Sequence, residues 1–126
     1  MNEVLWQPHP SRAEAAQVEA FRRSAERRWG RELPDWSALY AWSVQEREEF
    51  WTSVWEFADV RCSQRWERVL EHPDAMPGGV WFPGARLNFA ENLLRFDDER
   101  PALLFRGEDG NRQALSHAEL RRAAGR

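Results

Sequence analysis

The feature of this sequence that most constrains its fold is the kind of apolar side chain it supplies. Sixteen of its 126 residues are aromatic and eight of those are tryptophan, whereas isoleucine is absent. Leucine, valine and phenylalanine together make up about a fifth of the chain, which borders on the composition of disordered proteins. A formal net charge of only −3 and the large buriable area of the rings favour folding. The composition therefore predicts one folded segment with an aromatic-rich, aliphatic-poor core.

Several classes of chemistry and location are excluded or disfavoured by composition. All eighteen cationic residues are arginine, so the chain has no lysine for a phosphate loop, a Schiff base or a general base. Cys62 is the only cysteine, which excludes an internal disulfide and a thiolate metal cluster. The sequence lacks the pattern of a secretory signal and any apolar run of the ~18 residues that span a membrane. We therefore expect a cytoplasmic protein. Because the net charge is −3 and arginine is dispersed among acidic residues, we expect it to bind neither nucleic acid nor membrane.

Two helices are predicted before residue 46. Ser11 and Glu14 have the spacing of a capping box, which begins a helix that Gly30 ends. Asp35 is placed to cap a second, short helix. The apolar residues expected to face the core from these helices recur at helical spacing: Val18, Phe21, Ala25, Trp29, Trp36, Leu39 and Tyr40.

A third helix is predicted from a second capping box, Ser43 and Glu46, to about Asp59. Its core-facing residues follow the same spacing: Arg47, Phe50, Trp51, Val54, Phe57 and Ala58. Trp55 lies off this stripe, so its ring needs another element to cover it, which suggests a neighbour outside the chain. Residues 62–70 fit either a helix or a loop.

The pattern becomes extended and rich in turn formers at residues 80–86. Asn88 is placed to cap a short helix that reaches Leu94. Trp81 and Leu87, the large apolar residues of this region, are expected in the core.

A β-hairpin and a further helix are predicted in the last quarter of the chain. Residues 101–106 predict a buried strand, and a five-residue loop separates them from a weaker strand at 112–115. Ser116 and Glu119 form a third capping box at the start of a helix. A lone hairpin and a ten-residue helix are both marginally stable, so these elements look like the opening of a larger α/β layer.

The sequence shows no self-sufficient catalytic, cofactor-binding or metal site. The residue types considered are histidines, a serine, a cysteine, acidic clusters and glycines: His9, His72, His117, Ser116, Cys62, Glu46, Glu48, Glu49, Asp97, Asp98, Glu99, Gly78, Gly79 and Gly84. The histidines lack metal-ligand spacing and are expected at the surface. The acidic clusters are typical of solvated surface, and the glycines lack phosphate-loop spacing. Ser116 is explained by capping, and Cys62 is interpreted as a structural thiol. Tryptophans can stack on sugars or bases, but their apolar stripes favour packing.

Residues 81–94, with the sequence WFPGARLNFAENLL, resemble the signature near the front of the acetoacetyl-coenzyme A synthetases, also called acetoacetate–CoA ligases. Four other blocks resemble that family in the expected order: Leu5–Pro8, Asp35–Ser43, Arg100–Glu108 and Leu115–Leu120. Acetyl- and propionyl-CoA synthetases share the Gly-x-Leu-Asn core but usually continue with Asp-Arg-His. Leu93-Leu94-Arg95-Phe96 stands there in this chain, which favours the acetoacetyl branch.

The resemblance implies an ATP-dependent acid–thiol ligase. The family activates acetoacetate as an acyl-adenylate, releases pyrophosphate and passes the acyl group to coenzyme A, with magnesium assisting the first step. The family's phosphate loop, nucleotide-binding motifs and catalytic lysine match no position here. We therefore expect no catalytic, cofactor-binding or metal-binding residue in this chain, and no binding of ATP, CoA or Mg²⁺ by this chain alone.

The fold class implied is α+β. Residues 1–96 would form a mainly helical accessory segment, and residues 97–126 would form the first hairpin and helix of an incomplete α/β adenylate-forming domain. We expect an N-terminal fragment that is inactive alone, and its partner would be the remainder of that domain in the same parent chain.

Two alternatives stay open. One is a relative of the acetyl- or propionyl-CoA synthetases, because residues of the acid pocket are not present to be compared. The other is a non-enzymatic helical module that binds a partner protein, suggested by Trp55 and by the incomplete last layer.

Overall fold

The computed structural model describes residues 6–125 of the chain, so Leu5 of the first resembling block lies outside the described residues. The described part contains both helices and short antiparallel strands, as the α+β expectation requires. In chain order the elements are α1 (Pro10–Glu14), α2 (Gln17–Trp29), α3 (Trp36–Gln45), α4 (Arg47–Phe57), β1 (Leu70–Glu71), β2 (Val80–Trp81), α5 (Phe89–Leu93), β3 (Pro101–Arg106), β4 (Arg112–Ser116) and α6 (His117–Ala124).

The chain divides into two compact units. Unit 1 comprises Trp66–Gly84 and the described part of residues 1–60, and it contains α1 to α4 and the β1–β2 pair. Unit 2 comprises Arg61–Arg65 and the described part of residues 85–126, and it contains α5, the β3–β4 hairpin and α6. The domain boundary expected between residues 96 and 97 stays a prediction.

The first predicted helix is in fact two helices, α1 and α2. Pro10 occupies the first turn of α1, where a missing N–H costs nothing, and His9 is therefore the cap. The His9 Nδ1 atom lies 2.8 Å from the Ser11 hydroxyl, so the capping box predicted to begin at Ser11 is wrong. Gly30 ends α2 as predicted, with a left-handed φ of 62° that glycine adopts without strain.

The predicted start of α3 is confirmed and that of α4 is not. The Asp35 carboxylate accepts a hydrogen bond of 2.8 Å from the Ala38 N–H, which is the expected cap. Ser43 lies inside α3, where its hydroxyl donates to the Tyr40 carbonyl at 2.7 Å. The second capping box is therefore wrong, because a serine hydroxyl within a helix can bond to a preceding carbonyl instead of starting a new helix.

The core of unit 1 is aromatic, as composition predicts. Its buried members are one phenylalanine, one tryptophan and smaller apolar side chains: Phe21, Ala25, Leu33, Leu39 and Trp42. Phe50 of α4 lies edge-to-face against Phe21 and Trp42, with ring centroids 5.6 and 5.5 Å apart. Each such aromatic pair adds about 0.5–1.5 kcal/mol to the burial of its surface. The packing of α4 against both α2 and α3 follows from these contacts.

Several apolar residues expected in the core are exposed instead. They belong to the helices of unit 1 and to the region after β1: Val18, Trp36, Tyr40, Trp51, Phe57, Ala58, Trp81 and Leu87. Helical spacing identifies the side of a helix on which apolar residues lie. It does not show how much of that side a neighbouring element covers, and α3 buries only the side that carries Leu39 and Trp42.

Trp55 is covered within unit 1, so the expectation of a neighbour outside the chain is wrong for this residue. Its ring lies 4.7 Å from the rings of both Trp66 and Phe82. These two residues belong to the 66–84 segment, in which Leu70 pairs with Trp81 across β1 and β2. Residues 62–70 are accordingly a loop that ends in β1 and not a helix.

A polar network joins α2 to the turn that follows it. The Arg22 guanidinium binds the carboxylates of Glu19 and Glu26 and the Leu33 carbonyl, at 2.5–2.9 Å. Glu26 also accepts the Leu33 N–H at 2.9 Å, which fixes the buried Leu33 beneath α2. The hydrogen bond from Arg22 lowers the pKa of Glu19 to about 2.

Replacing Phe21 with alanine is expected to lower the free energy of unfolding by about 3–5 kcal/mol, because a buried ring is removed from among packed neighbours. Urea titration followed by tryptophan fluorescence measures the change. Trp36→Ala is the matched control, since this ring is exposed and its loss should change stability by about 0.5 kcal/mol or less. Equal losses in both variants would contradict the position of Phe21 in the core.

Glu19→Gln is expected to destabilise the chain at neutral pH but not in strong acid. A carboxyl whose folded pKa is depressed adds stability above its unfolded pKa of about 4.5, and that stability is lost as the pH falls towards about 2. Urea midpoints of the variant and the parent chain should therefore differ at pH 7 and converge near pH 2. Glu14→Gln, at an exposed glutamate of α1, is the control and should show no such convergence. A pH-independent difference for Glu19→Gln would contradict the network.

Candidate functional site

The β3–β4 hairpin of unit 2 forms as predicted, with Leu103 opposite Leu115 and Phe105 opposite Gln113. Residues 107–111 make the five-residue loop. The expectation that the first strand is buried is wrong, since Leu104 is 76% exposed and its two neighbours in sequence are about half exposed. The sheet has two strands, so a strand with the apolar composition of a central strand here presents side chains to solvent. Unit 2 therefore has an exposed apolar surface on strand β3.

The start of α6 is fixed by the third predicted capping box, which is confirmed. The Ser116 hydroxyl accepts the Glu119 N–H at 3.2 Å, and the Glu119 carboxylate accepts the Ser116 N–H at 2.9 Å. Ser116 is buried, and its hydroxyl is used in the capping hydrogen bond. It therefore does not pair with His117 as a nucleophile with its base.

Asp98 joins the chain before β3 to the start of α6. Its carboxylate lies 2.8 Å from Nδ1 of His117 and binds the Arg100 guanidinium at 2.7 and 3.0 Å. These contacts, led by the hydrogen bond from Arg100, hold the pKa of Asp98 well below its usual range. The Phe96 ring lies 5.4 Å from the His117 ring and 5.5 Å from the Arg100 guanidinium carbon. His117 and Asp98 are thus half-buried and tied together, which corrects the expectation of a free surface histidine and a solvated acidic loop.

The signature segment uses its two asparagines to organise the backbone. The Asn88 side chain accepts the N–H groups of Ala90 and Glu91 at 2.9 and 3.3 Å, which confirms it as the cap of α5. The Asn92 side chain accepts the Arg61 N–H and donates to the Arg61 carbonyl, both at 2.8 Å. We call this pair of bonds the Asn92 clamp. Sequence reasoning missed it, because the two residues that it joins are 31 positions apart.

A second tie holds the same loop segment to the signature. Arg86 forms an antiparallel bridge with Gln64, donating its N–H to the Gln64 carbonyl at 3.0 Å. Its carbonyl accepts the Ser63 N–H at 2.8 Å. Residues 61–65 are therefore fixed at two points in unit 2, by Arg86 and by the Asn92 clamp.

A cleft of about 340 Å³ lies in unit 2 beside the clamp. It is open, and its lining mixes Arg61 and Arg121 with Glu91, Asn88 and the apolar Leu94. Opposite charges in one open cleft give no consistent preference for an anion or a cation. This cleft does not identify a ligand.

The remaining candidates from the sequence do not converge on one site. His9 caps α1, His72 is exposed in the turn between β1 and β2, and Cys62 is a half-buried free thiol. Within residues 6–125, no group of three or more His, Cys, Asp or Glu side chains is placed to hold a metal ion. Gly78 and Gly84 adopt positive φ angles of turns. Among the helices of the same residues, none is long and apolar enough to cross a membrane.

The acidic cluster at residues 46–49 is structural in part. The Glu49 carboxylate accepts hydrogen bonds from the Arg31 guanidinium at 2.8 and 3.1 Å and from the Trp42 indole N–H at 3.1 Å. The hydrogen bond from Arg31 is the main reason that the pKa of Glu49 is lowered. Glu49 thus accepts the hydrogen bond of a buried indole N–H where α3 contacts α4. The expectation that this acidic cluster is entirely solvated is therefore wrong for Glu49.

Comparison with known proteins shows which family this chain resembles. Residues 36–93 match the family described as the acetyl-coenzyme A synthetase N-terminus. Acetoacetyl-coenzyme A synthetase from Rhizobium meliloti is 43% identical over 117 residues, which are 93% of this chain and 18% of that protein. The solved structure of acetoacetyl-CoA synthetase from Streptomyces lividans has a TM-score of 0.87 and 41% identity, and it covers 96% of this chain and 19% of that one. The chain matches an N-terminal part of acetoacetyl-CoA synthetase.

Other relatives of this part of the synthetases show how far the match extends. Acetoacetyl-CoA synthetase from Danio rerio is 35% identical over 124 residues, and malonamoyl-CoA synthetase from Penicillium aethiopicum is 34% identical over 126. This chain spans 17–18% of the length of both proteins. The resemblance stated from residues 81–94 and the neighbouring blocks is therefore confirmed at the level of the acetoacetyl-CoA synthetases, for their N-terminal part.

Asn92→Ala is expected to speed hydrogen exchange at the Arg61 amide and to lower the free energy of unfolding by about 1 kcal/mol, because both backbone groups of Arg61 lose their partner. Native-state exchange followed by NMR measures the first effect, and urea titration the second. Asn111→Ala, in the exposed hairpin loop, is the matched control and should leave the Arg61 amide unchanged. Unaltered protection of Arg61 in Asn92→Ala would show that the clamp does not hold residues 61–65.

Proposed function

We propose that this chain supplies the N-terminal part of an acetoacetate–CoA ligase, which converts acetoacetate, ATP and coenzyme A into acetoacetyl-CoA, AMP and diphosphate. The observation that carries the proposal is the similarity to the Streptomyces lividans acetoacetyl-CoA synthetase, with a TM-score of 0.87 and 41% identity over 96% of this chain. The chain spans about 18% of the Rhizobium meliloti relative, so the reaction of the whole ligase is part of what we propose.

The role proposed for the chain itself is to support the adenylate-forming domain. In this proposal β3, β4 and α6 are the first elements of that domain, and residues 1–96 are the accessory segment. The exposed Leu103, Leu104 and Phe105 support this assignment, because an isolated two-stranded sheet is marginal and an apolar strand of this kind is normally covered. The partner is then the remainder of the domain in the ligase.

We infer that the chemical steps use residues outside this chain. ATP, Mg²⁺ and coenzyme A are the reactants and cofactor of the proposed ligase. Two observations support this inference: the chain has no lysine, and its described carboxylates and histidines are not grouped to hold a metal ion. Three polar side chains of unit 2 are hydrogen-bonded to backbone groups of the chain itself: Asn88, Asn92 and Ser116. We accordingly assign no catalytic or cofactor-binding residue here and propose that the chain alone is inactive.

The comparisons also name acyl substrates other than acetoacetate. The matching family is described by acetyl-coenzyme A synthetase, and one relative is a malonamoyl-CoA synthetase. Both observations keep other short acids in consideration, including acetate and propionate. Acetoacetate is favoured because the Rhizobium meliloti and Danio rerio relatives and the Streptomyces lividans structure are all acetoacetyl-CoA synthetases.

A chimera tests the proposed role directly. This chain would replace the matching first 18% of the Rhizobium meliloti synthetase, and acetoacetate-dependent ATP–pyrophosphate exchange would be compared with acetate and propionate. We expect exchange with acetoacetate, and none from the shortened relative or from the 126-residue chain by itself. A folded chimera without exchange would contradict the role, and exchange by the chain alone would contradict its inactivity.

Leu104→Asp in that chimera separates domain support from general stability. Leu104 is exposed in this chain, so the variant chain alone should unfold at an unchanged urea concentration. In the chimera the new charge would be buried against the rest of the domain, and exchange should fall by more than about tenfold. Glu108→Gln in the exposed hairpin loop is the matched control and should retain exchange. Full activity of the Leu104→Asp chimera would exclude the strand surface as the contact.

A further inference from the structure

The loop that joins β3 to β4 has the sequence Gly-Glu-Asp-Gly-Asn at residues 107–111. Asp109 is the one aspartate of the chain that a glycine follows, and no asparagine of the chain is followed by glycine. The residue after an aspartate matters chemically, because its backbone nitrogen is the nearest nucleophile to the side-chain carboxyl carbon. Gly110 has no Cβ to obstruct that nitrogen. Asp109-Gly110 is therefore the dipeptide of this chain in which backbone attack on a carboxyl is least hindered.

The side chain of Asp109 is folded back over its own backbone. Its Oδ1 atom accepts a hydrogen bond from the Asn111 N–H at 3.0 Å. A carboxyl that reaches the N–H two residues ahead lies over the intervening peptide, as in an Asx turn, so Cγ is brought towards the Gly110 nitrogen. Gly107 leaves room for this arrangement, because a Cβ at position 107 would clash with Oδ1 of Asp109. The two atoms that would react therefore lie on the same side of the loop.

Few contacts restrain this loop. Residues 108–111 are exposed, and Gly110 has a φ of 81°, from which a glycine moves to other φ angles without a steric barrier from a side chain. Two backbone hydrogen bonds close the loop, from Gly110 N–H to the Gly107 carbonyl at 3.1 Å and from Gly107 N–H to the Asn111 carbonyl at 2.8 Å. The first bond must open before the Gly110 nitrogen reacts. In an exposed turn water replaces such a bond at small cost.

We propose that Asp109-Gly110 is a site of spontaneous isomerisation, at which the aspartate converts to isoaspartate as the protein ages. The Gly110 nitrogen forms a bond with Cγ of Asp109, and its proton leaves with the hydroxyl of the protonated carboxyl as water. The product of this step is a five-membered succinimide ring. Water then adds to the ring carbonyl that belonged to the backbone of Asp109, and the bond from that carbonyl to the Gly110 nitrogen breaks. The chain then continues through the side chain, with no oxidation, reduction or net change of mass.

Isomerisation changes the hairpin as well as the residue. It adds one atom, the Cβ of Asp109, to the main chain of a five-residue loop. Because Arg106 and Arg112 stay paired at the ends of the strands, the longer loop does not keep both of the hydrogen bonds that close it. A two-stranded sheet is marginally stable, so loss of these bonds loosens the end of β3 and β4. The reaction belongs to the loop itself, and the proposal does not depend on the ligase role.

Ageing the full 126-residue chain in water labelled with the heavy isotope of oxygen tests the proposal. Each passage through the succinimide leaves one solvent oxygen in residue 109, and cleavage after arginine releases residues 107–112 as one peptide for mass spectrometry. We expect label and isoaspartate at Asp109, and about tenfold less or none at Asp74. Asp74 is the internal control, since its side chain is 94% exposed but alanine follows it. An unlabelled Asp109, or equal label at both residues, would overturn the proposal.

Two substitutions distinguish the succinimide from other reactions of the loop. Asp109→Glu keeps the charge but needs a six-membered ring, so incorporation of label should fall by about tenfold or more. Asp109→Asn forms the same five-membered ring with loss of ammonia, a better leaving group, and should convert faster than the parent chain. Unchanged labelling in Asp109→Glu, or slower conversion of Asp109→Asn, would contradict the succinimide.

Hydrogen exchange followed by NMR measures the effect on the hairpin. The Gly107 amide should exchange faster in the isomerised chain than in the fresh chain, because its bond to the Asn111 carbonyl is lost. The amide of Ala25, in the core of unit 1, is the control and should exchange equally in both. Equal exchange of the Gly107 amide before and after isomerisation would overturn the proposed loosening of β3 and β4.

Discussion

The packing of Phe50 against Phe21 and Trp42 is the contact on which the helical part of this protein depends. It brings α2, α3 and α4 together through rings that meet edge to face, 5.5–5.6 Å apart. A chain with no isoleucine and few other aliphatic residues must fill its core with such rings. Aromatic rings bury large areas but interlock in few arrangements, so the core consists of a small number of specific contacts.

Filling a core with tryptophan creates a second requirement, because the N–H of a buried or half-buried indole needs an acceptor. Helix α4 supplies the acceptors for the indoles of Trp42 and Trp29. The Trp42 N–H donates to Glu49 at 3.1 Å and the Trp29 N–H donates to the Ser53 hydroxyl at 2.8 Å. Positions 49 and 53 are one helical turn apart, so one face of α4 serves helices on both of its sides. This explains why buried Ser53 and acidic Glu49 stand among apolar residues.

Sequence reasoning succeeded where one local bond decides the structure and failed where the surroundings decide it. Asp35, Asn88 and Ser116 were identified as caps because each side chain reaches an N–H only two or three residues ahead. Ser11 and Ser43 have the same spacing, but a preceding proline and a carbonyl within α3 changed their roles. The cover over Trp55 and the Asn92 clamp join residues that are distant in sequence, so no local pattern could show them. The exposure of Leu104 depends on how many strands the sheet has, which a single strand's composition does not reveal.

Two polar residues of the signature segment have structural roles that depend on their exact side chains. Asn88 caps a helix of only five residues, and Asn92 substitutes for a strand partner of Arg61. An aspartate at position 92 would keep the acceptor for the Arg61 N–H but would place a negative charge against the Arg61 carbonyl. The clamp thus requires an amide, with one donor and one acceptor, for reasons of backbone geometry alone.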